Sequence, residues 1–178
     1  MKILVVLGSV REGSVSKKVA QSLIDGAKSK GAEVVVYDAY NMNVKGCMGC
    51  GSCRKNGTDC VIQDDMQAYY KDLHTCDALV LTAPNYYSQV AGHMITFMNR
   101  HYCMNNADRT SRLKQGIKLV GIFSQGAPQD YPKYLPNYEW YLNTFISKGM
   151  DLIANINVGG NSDLNQVCQK AYHIGETL

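Results

Sequence analysis

The chain has 178 residues, 46% of them hydrophobic and 19% charged, with a formal net charge of +3. That length suits one domain with a proper core, expected here over residues 1–178, and the small charge argues for neither nucleic acid nor an anionic membrane as partner. The apolar run at residues 3–7 is too short for a transmembrane helix or the core of a signal peptide, so a cytoplasmic protein is expected.

The elements follow in chain order. "KILVVLG" (2–8) has the β-branched content of a buried strand and ends on glycine. Residues 14–30 place Val15, Val19, Ala20, Leu23, Ile24 and Ala27 at helical spacing, with Gly31 suited to the helix end. "AEVVVYDA" (32–39) is a second strand, and a cysteine-rich segment follows as a loop. Residues 64–76 open on two aspartates, as a helix N-terminus prefers. A third strand (77–84), a helix (89–103), a fourth strand (116–126), a helix (137–149), a fifth strand (150–160) and a last helix (162–175) complete the pattern. Five β–α pairs with strands buried on both faces imply a doubly wound five-stranded parallel sheet in a three-layer α/β/α sandwich.

In such a sheet ligands bind beyond the carboxyl ends of the strands. Three loops leave those ends with ligand-type chemistry. "GSVREGSVS" (8–16) offers the hydroxyls of Ser9, Ser14 and Ser16, the Arg11 guanidinium and free N–H groups where the helix begins near Val15. A phosphate is attracted by those donors. Ser14 stands where a Walker A loop needs lysine, and no G-x-G-x-x-G is present, so neither motif is indicated. The alternative is an ordinary turn with Ser14 as N-cap. "APNYYSQ" (83–89) presents Pro84, Asn85, Tyr86 and Tyr87, a platform for a flat aromatic ligand. "FSQGAPQD" (123–130) adds Ser124 and Gln125 as hydrogen-bonding groups and Gly126 for close backbone approach. Together the loops describe a site for a planar, phosphate-tailed cofactor, for which FMN is the natural candidate. The aromatic stretch 131–141, with Tyr131, Tyr134, Tyr138, Trp140 and Tyr141, reads as a wall near that site.

"CMGCGSCRKNGTDC" (47–60) gathers Cys47, Cys50, Cys53 and Cys60, four of the chain's seven cysteines. In a reducing compartment such a cluster favours metal or redox chemistry over a disulfide framework. A C-x2-C-x2-C run suits an iron–sulfur cubane. Zinc more often takes two separated C-x2-C pairs, and a loop with no metal is the third possibility. Cys76, Cys103 and Cys168 read as small buried hydrophobes. His74 and His101 lie near helix ends, His93 and His173 within helices facing solvent, and none is assigned a catalytic role.

"GSVREGSVSKKVA" and "APNYYSQVAGHMITFMNR" resemble the phosphate loop and the A-P-x-Y loop of NADPH-dependent FMN reductases within the flavodoxin-like superfamily. The cysteine segment followed by "VIQDDM" resembles, more narrowly, the iron–sulfur flavoproteins. The resemblance implies a flavodoxin-like fold, FMN in the three loops and a [4Fe–4S] cluster on Cys47, Cys50, Cys53 and Cys60. It also implies electrons drawn from a one-electron donor such as ferredoxin, and a homodimer or homotetramer. Ile95 and Asn99 stand where lysine and aspartate are usual in the helix ending at Arg100, so any ion pair of those residues is absent. The alternatives are an NAD(P)H-dependent FMN or quinone reductase without a cluster, and a non-enzymatic electron carrier.

Overall fold

The computed structural model describes residues 1–178. The chain runs β1 (Lys2–Leu7), α1 (Val15–Ser29), β2 (Glu33–Asp38), α2 (Ser52–Asn56), α3 (Met66–Leu73), β3 (Ala78–Tyr86), β4 (Gln89–Val90), α4 (Gly92–Asn99), a 3-10 turn (Arg100–Met104), β5 (Ile117–Ser124), α5 (Leu135–Ile146), β6 (Met150–Val158) and α6 (Leu164–Thr177). Five strands pair in parallel in the order β2-β1-β3-β5-β6. The expected parallel sheet is therefore present, and its order reverses direction between β1 and β3, which creates the crevice where ligands bind in such sheets.

Alternation along each strand divides the core in two. Ile3 and Val5 of β1, with Val80, Val120, Ile122 and Ile156, pack under α1 and α6. Leu4 and Val6, with Leu79, Leu81, Leu119 and Phe123, face α3, α4 and α5. Side chains of this size contribute roughly 1.5–3 kcal/mol each when fully buried. On the first face α1 and α6 approach through glycines. A Cβ on Gly26 would collide with the Tyr172 carbonyl, and one on Gly175 with the backbone of Leu23 and Ala27.

The structure refines two sequence expectations. The helix expected over 89–103 is divided: β3 runs on to Tyr86, turns at Tyr87 and Ser88, and returns as β4, with Asn85 opposite Val90 and Tyr86 opposite Gln89. Only then does α4 begin, and its last turn tightens into the 3-10 segment. The sheet thus gains a sixth, antiparallel strand. The cysteine segment is not loop throughout, because α2 supplies one short helical stretch that carries Cys53.

Candidate functional site

A cavity of about 330 Å³ opens at the carboxyl end of the sheet. It is lined by Arg11 and Val15, by Pro84, Asn85 and Tyr86, and by Ser124, Gln125 and Gly126. Its volume falls within the range of small-molecule sites. Ser9 and Ser16 are fully buried behind Arg11, and Ser14 nearly so. Ser14 Oγ accepts from the Lys17 N–H at 3.3 Å, so it is the N-cap of α1. The first N–H groups of α1 have no helical partner and leave a positive helix end beside Arg11. Arg11 belongs to none of the chain's ion pairs, so its charge is free for an anion. A phosphate-tailed planar ligand fits this donor set.

The cavity walls are fixed from behind by the aromatic stretch. Tyr138 is buried and stacks on Phe123, with ring centroids 4.4 Å apart and planes 3° from parallel. Its hydroxyl donates to Gln125 Oε1 at 2.6 Å and accepts from Asn85 Nδ2 at 3.0 Å. One phenol therefore sets two lining side chains from two different loops. Asn137 donates to the Ser88 carbonyl at 2.8 Å and ties down the β3–β4 turn. That turn carries positive φ at both Tyr87 (50°) and Ser88 (69°), a conformation side chains other than glycine adopt at a cost. Tyr87 points wholly into solvent at the tip.

The cysteine segment sits in a frame of buried and half-buried charge. At its entrance, Asp64 accepts from the Lys45 N–H at 3.0 Å, and Asp65 from the Asn43 N–H at 2.7 Å. Asp64 also forms a fully buried ion pair with Arg100, whose Nη1 donates to the Lys45 carbonyl at 2.8 Å. In the middle, Arg54 donates to the carbonyls of Asn106 and Ala107 and to the Tyr102 hydroxyl. At its exit, Asp59 is held by His74 and Arg112 at 2.9 and 3.0 Å. Gly49, Gly51 and Gly57 all have positive φ, which lets the chain double back between the thiols. The Gly49 N–H lies 3.5 Å from Cys47 Sγ.

All seven cysteines are free thiols. Cys47 and Cys50 are exposed, Cys60 is half-buried and Cys53 is buried. Burial raises the Cys53 thiol above its ordinary range, against a main-chain hydrogen bond from Arg54 that lowers it. No three Cys, His, Asp or Glu side chains converge on a point that would hold a single metal ion. Four thiols on one glycine-jointed segment are nevertheless the donor set that a cubane requires.

Comparison with known proteins decides the family. Residues 1–128 match the sequence pattern of NADPH-dependent FMN reductases. The chain belongs to that family. An iron–sulfur flavoprotein of Archaeoglobus fulgidus is 29% identical over 135 residues, 76% of this chain and 60% of the relative. One from Methanosarcina thermophila is 29% identical over 119 residues, 67% of this chain and 62% of the relative. The chain thus aligns with about 60% of the length of these curated relatives. Among solved structures, an NAD(P)H:quinone oxidoreductase from Methanothermobacter marburgensis superposes with a TM-score of 0.78 at 16% identity, over 99% of this chain and 96% of the other. A flavodoxin from the domain Archaea gives 0.60 at 16% identity, over 99% and 95%. The fold is flavodoxin-like.

Of the residues expected to hold the cofactor, eight line the one cavity, while Ser9, Ser14 and Ser16 lie buried beside it and Tyr87 stands outside it. A fourth wall, Val158, Gly159, Gly160, Ser162 and Leu164, was not anticipated. It follows β6, whose carboxyl end lies on the same side of the sheet, so the topology rule that named the other three loops applied equally to "VGGNS". A Cβ on Gly159 or Gly160 would collide with residues 126–129, which explains the paired glycines. His93 corrects the solvent-facing expectation. Its Nε2–H donates to the Gly8 carbonyl at 2.7 Å, anchoring α4 to the start of the phosphate-type loop.

Proposed function

We propose that the chain is an FMN-dependent oxidoreductase that carries a [4Fe–4S] cluster on Cys47, Cys50, Cys53 and Cys60 and passes electrons from a one-electron donor such as ferredoxin to FMN. The observation that carries the cluster reading is the anchored cysteine frame. Three separate sets of charged contacts hold the segment at residues 45, 54 and 59, while its four thiols remain unbonded to one another. A segment held this way has its backbone fixed while its thiols stay available to a ligand. Arg54, the one arginine of this frame with no carboxylate partner, suits a thiolate-bound group of net negative charge.

When bound, FMN exchanges electrons singly or in pairs and a cluster exchanges them singly. The chain's own residues bind and orient. Arg11 and the start of α1 would hold the phosphate, and Pro84, Tyr86, Asn85 and Gln125, the last two fixed by Tyr138, would hold the ring system. The open mouth beside Tyr86 also admits a nicotinamide. Together with the family's NADPH-dependent members, it supports a second reading in which NAD(P)H reduces the flavin. A homodimer or homotetramer would cover the exposed Tyr87 tip and Met48 of the cysteine segment.

The test is anaerobic reconstitution of wild type beside Cys53→Ser, with iron, sulfide and FMN assayed. Stoichiometric iron and sulfide in the wild type, defective assembly in the variant and FMN in both are expected. Negligible iron in both would overturn the cluster reading and leave an FMN reductase with a cysteine-rich loop.

A further inference from the structure

A second cavity, of about 150 Å³, lies between the end of α4, the 3-10 turn and α5, away from the cofactor cavity. Its lining includes Asn99, His101, Tyr102, Thr144 and Lys148. Lys148 is only 7% exposed and belongs to none of the chain's ion pairs. Its Nζ makes no hydrogen bond and is not among the side-chain atoms sealed away without a partner, so the ammonium reaches accessible surface while most of the side chain is buried along the cavity it lines. An ammonium partly withdrawn from water and without a counter-charge gains from an anion beside it.

The cavity itself supplies none. No aspartate or glutamate is among its lining residues. The titratable neighbours of Lys148 are His101 and Cys103, and neither is a carboxylate. Burial lowers the His101 imidazole to about 4, so it brings no charge near pH 7. His101 is also fully engaged, its Nδ1 facing the Phe97 carbonyl and its Nε2 the Tyr69 hydroxyl. Thr144 Oγ1 has its proton committed to main-chain carbonyls. Lys148 is therefore the single formal charge among the lining residues, which also include the apolar Met98 and the exposed Asn99 and Tyr102, with the Asn99 amide as a further donor.

We propose that this cavity binds a small oxyanion, a carboxylate or a phosphate-type ion of a few heavy atoms, with Lys148 as its charged anchor and Asn99 as a hydrogen-bond donor. Asn99 and Tyr102 form its wall toward a neighbouring groove that contains Cys47 and Gly49. Tyr102 is the residue that Arg54 grips from the cysteine segment. An anion held there sits directly behind that segment.

The test uses protein with FMN in excess, so that inorganic phosphate does not report on the phosphate-type loop. Acetate and phosphate are titrated separately against chloride at constant ionic strength, and the melting temperature is followed. A saturable rise with acetate or phosphate, and none with chloride, is expected for the wild type; which ion acts identifies the class. Lys148→Met should weaken that response roughly tenfold or more. Asn99→Asp should abolish it by placing a carboxylate in the same lining, where it repels an added anion. If Lys148→Met does not fold, Asn99→Asp decides. No oxyanion-specific rise in the wild type, or an undiminished rise in the folded variants, would overturn the proposal.

Discussion

Replacing Asp64 by asparagine should destabilise the protein far more than a surface charge change would. The Asp64 carboxylate meets Arg100 in a pair whose side chains are both fully buried, and it also accepts the N–H groups of Lys45 and Met66. Asparagine keeps the shape but removes the charge. Arg100 is then left ionised in the interior with the Lys45 carbonyl as its remaining side-chain partner and its Nε already unpaired. Breaking one side of a buried pair costs about 3–5 kcal/mol. At this chain length that corresponds to a fall of roughly 6–20 °C in melting temperature. Burial opposes ionisation of Asp64, but hydrogen bonds from Arg100 and the Lys45 N–H outweigh it and hold its pKa below the ordinary carboxylate range. The stabilisation is therefore complete above the unfolded-state value of about 4 and is lost as pH falls through the lower folded-state value. The gap between wild type and variant should be flat above about pH 5 and should close in stronger acid. Urea unfolding across pH, with thiol alkylation of the native protein, measures both effects. Because the pair holds Lys45 at the entrance of the cysteine segment, Cys53 should alkylate faster in the variant. A variant within about 0.5 kcal/mol of wild type, the range of ordinary surface substitutions, would refute the reasoning. So would a double variant Asp64→Leu, Arg100→Met that is no better than the single one, since replacing both partners should recover most of the loss.

Arg11→Ala should weaken FMN binding roughly tenfold to a hundredfold, by loss of one charge-assisted phosphate contact, as flavin fluorescence titration would report. Tyr138→Phe should keep the stack on Phe123 while freeing Asn85 and Gln125, so FMN affinity or flavin potential shifts with a stability change of only about 0.5–1.5 kcal/mol. Gly175→Ala should cost roughly 1–3 kcal/mol by forcing α6 away from α1, with the FMN site unaffected at permissive temperature. Equal melting curves for the Gly175 variant and wild type would show that the helices part without cost.

The sequence alone determined the layered parallel sheet, because strands buried on both faces read as continuous apolar runs and helices as 3.6-residue stripes. It also located the cavity to within a few residues, since ligand-type loops must cluster at one end of such a sheet. The thiol-rich segment was legible as local spacing. What the sequence could not reveal depends on contacts between residues far apart in the chain. The Asp64-Asp65 pair reads as a helix start, yet folding makes it the clamp on residues 43–45 and the partner of Arg100. His93 sits in a helix that would suit a solvent-facing imidazole, but it reaches the Gly8 carbonyl 85 positions away. The aromatic stretch 131–141 has a composition without a direction, and only packing aims the Tyr138 hydroxyl between Asn85 and Gln125. Nothing local distinguishes Lys148 from a surface lysine; its burial follows from the meeting of α4, the 3-10 turn and α5. Periodicity fixes which face of an element is apolar, whereas the partner of each polar group is settled only when distant segments are brought together.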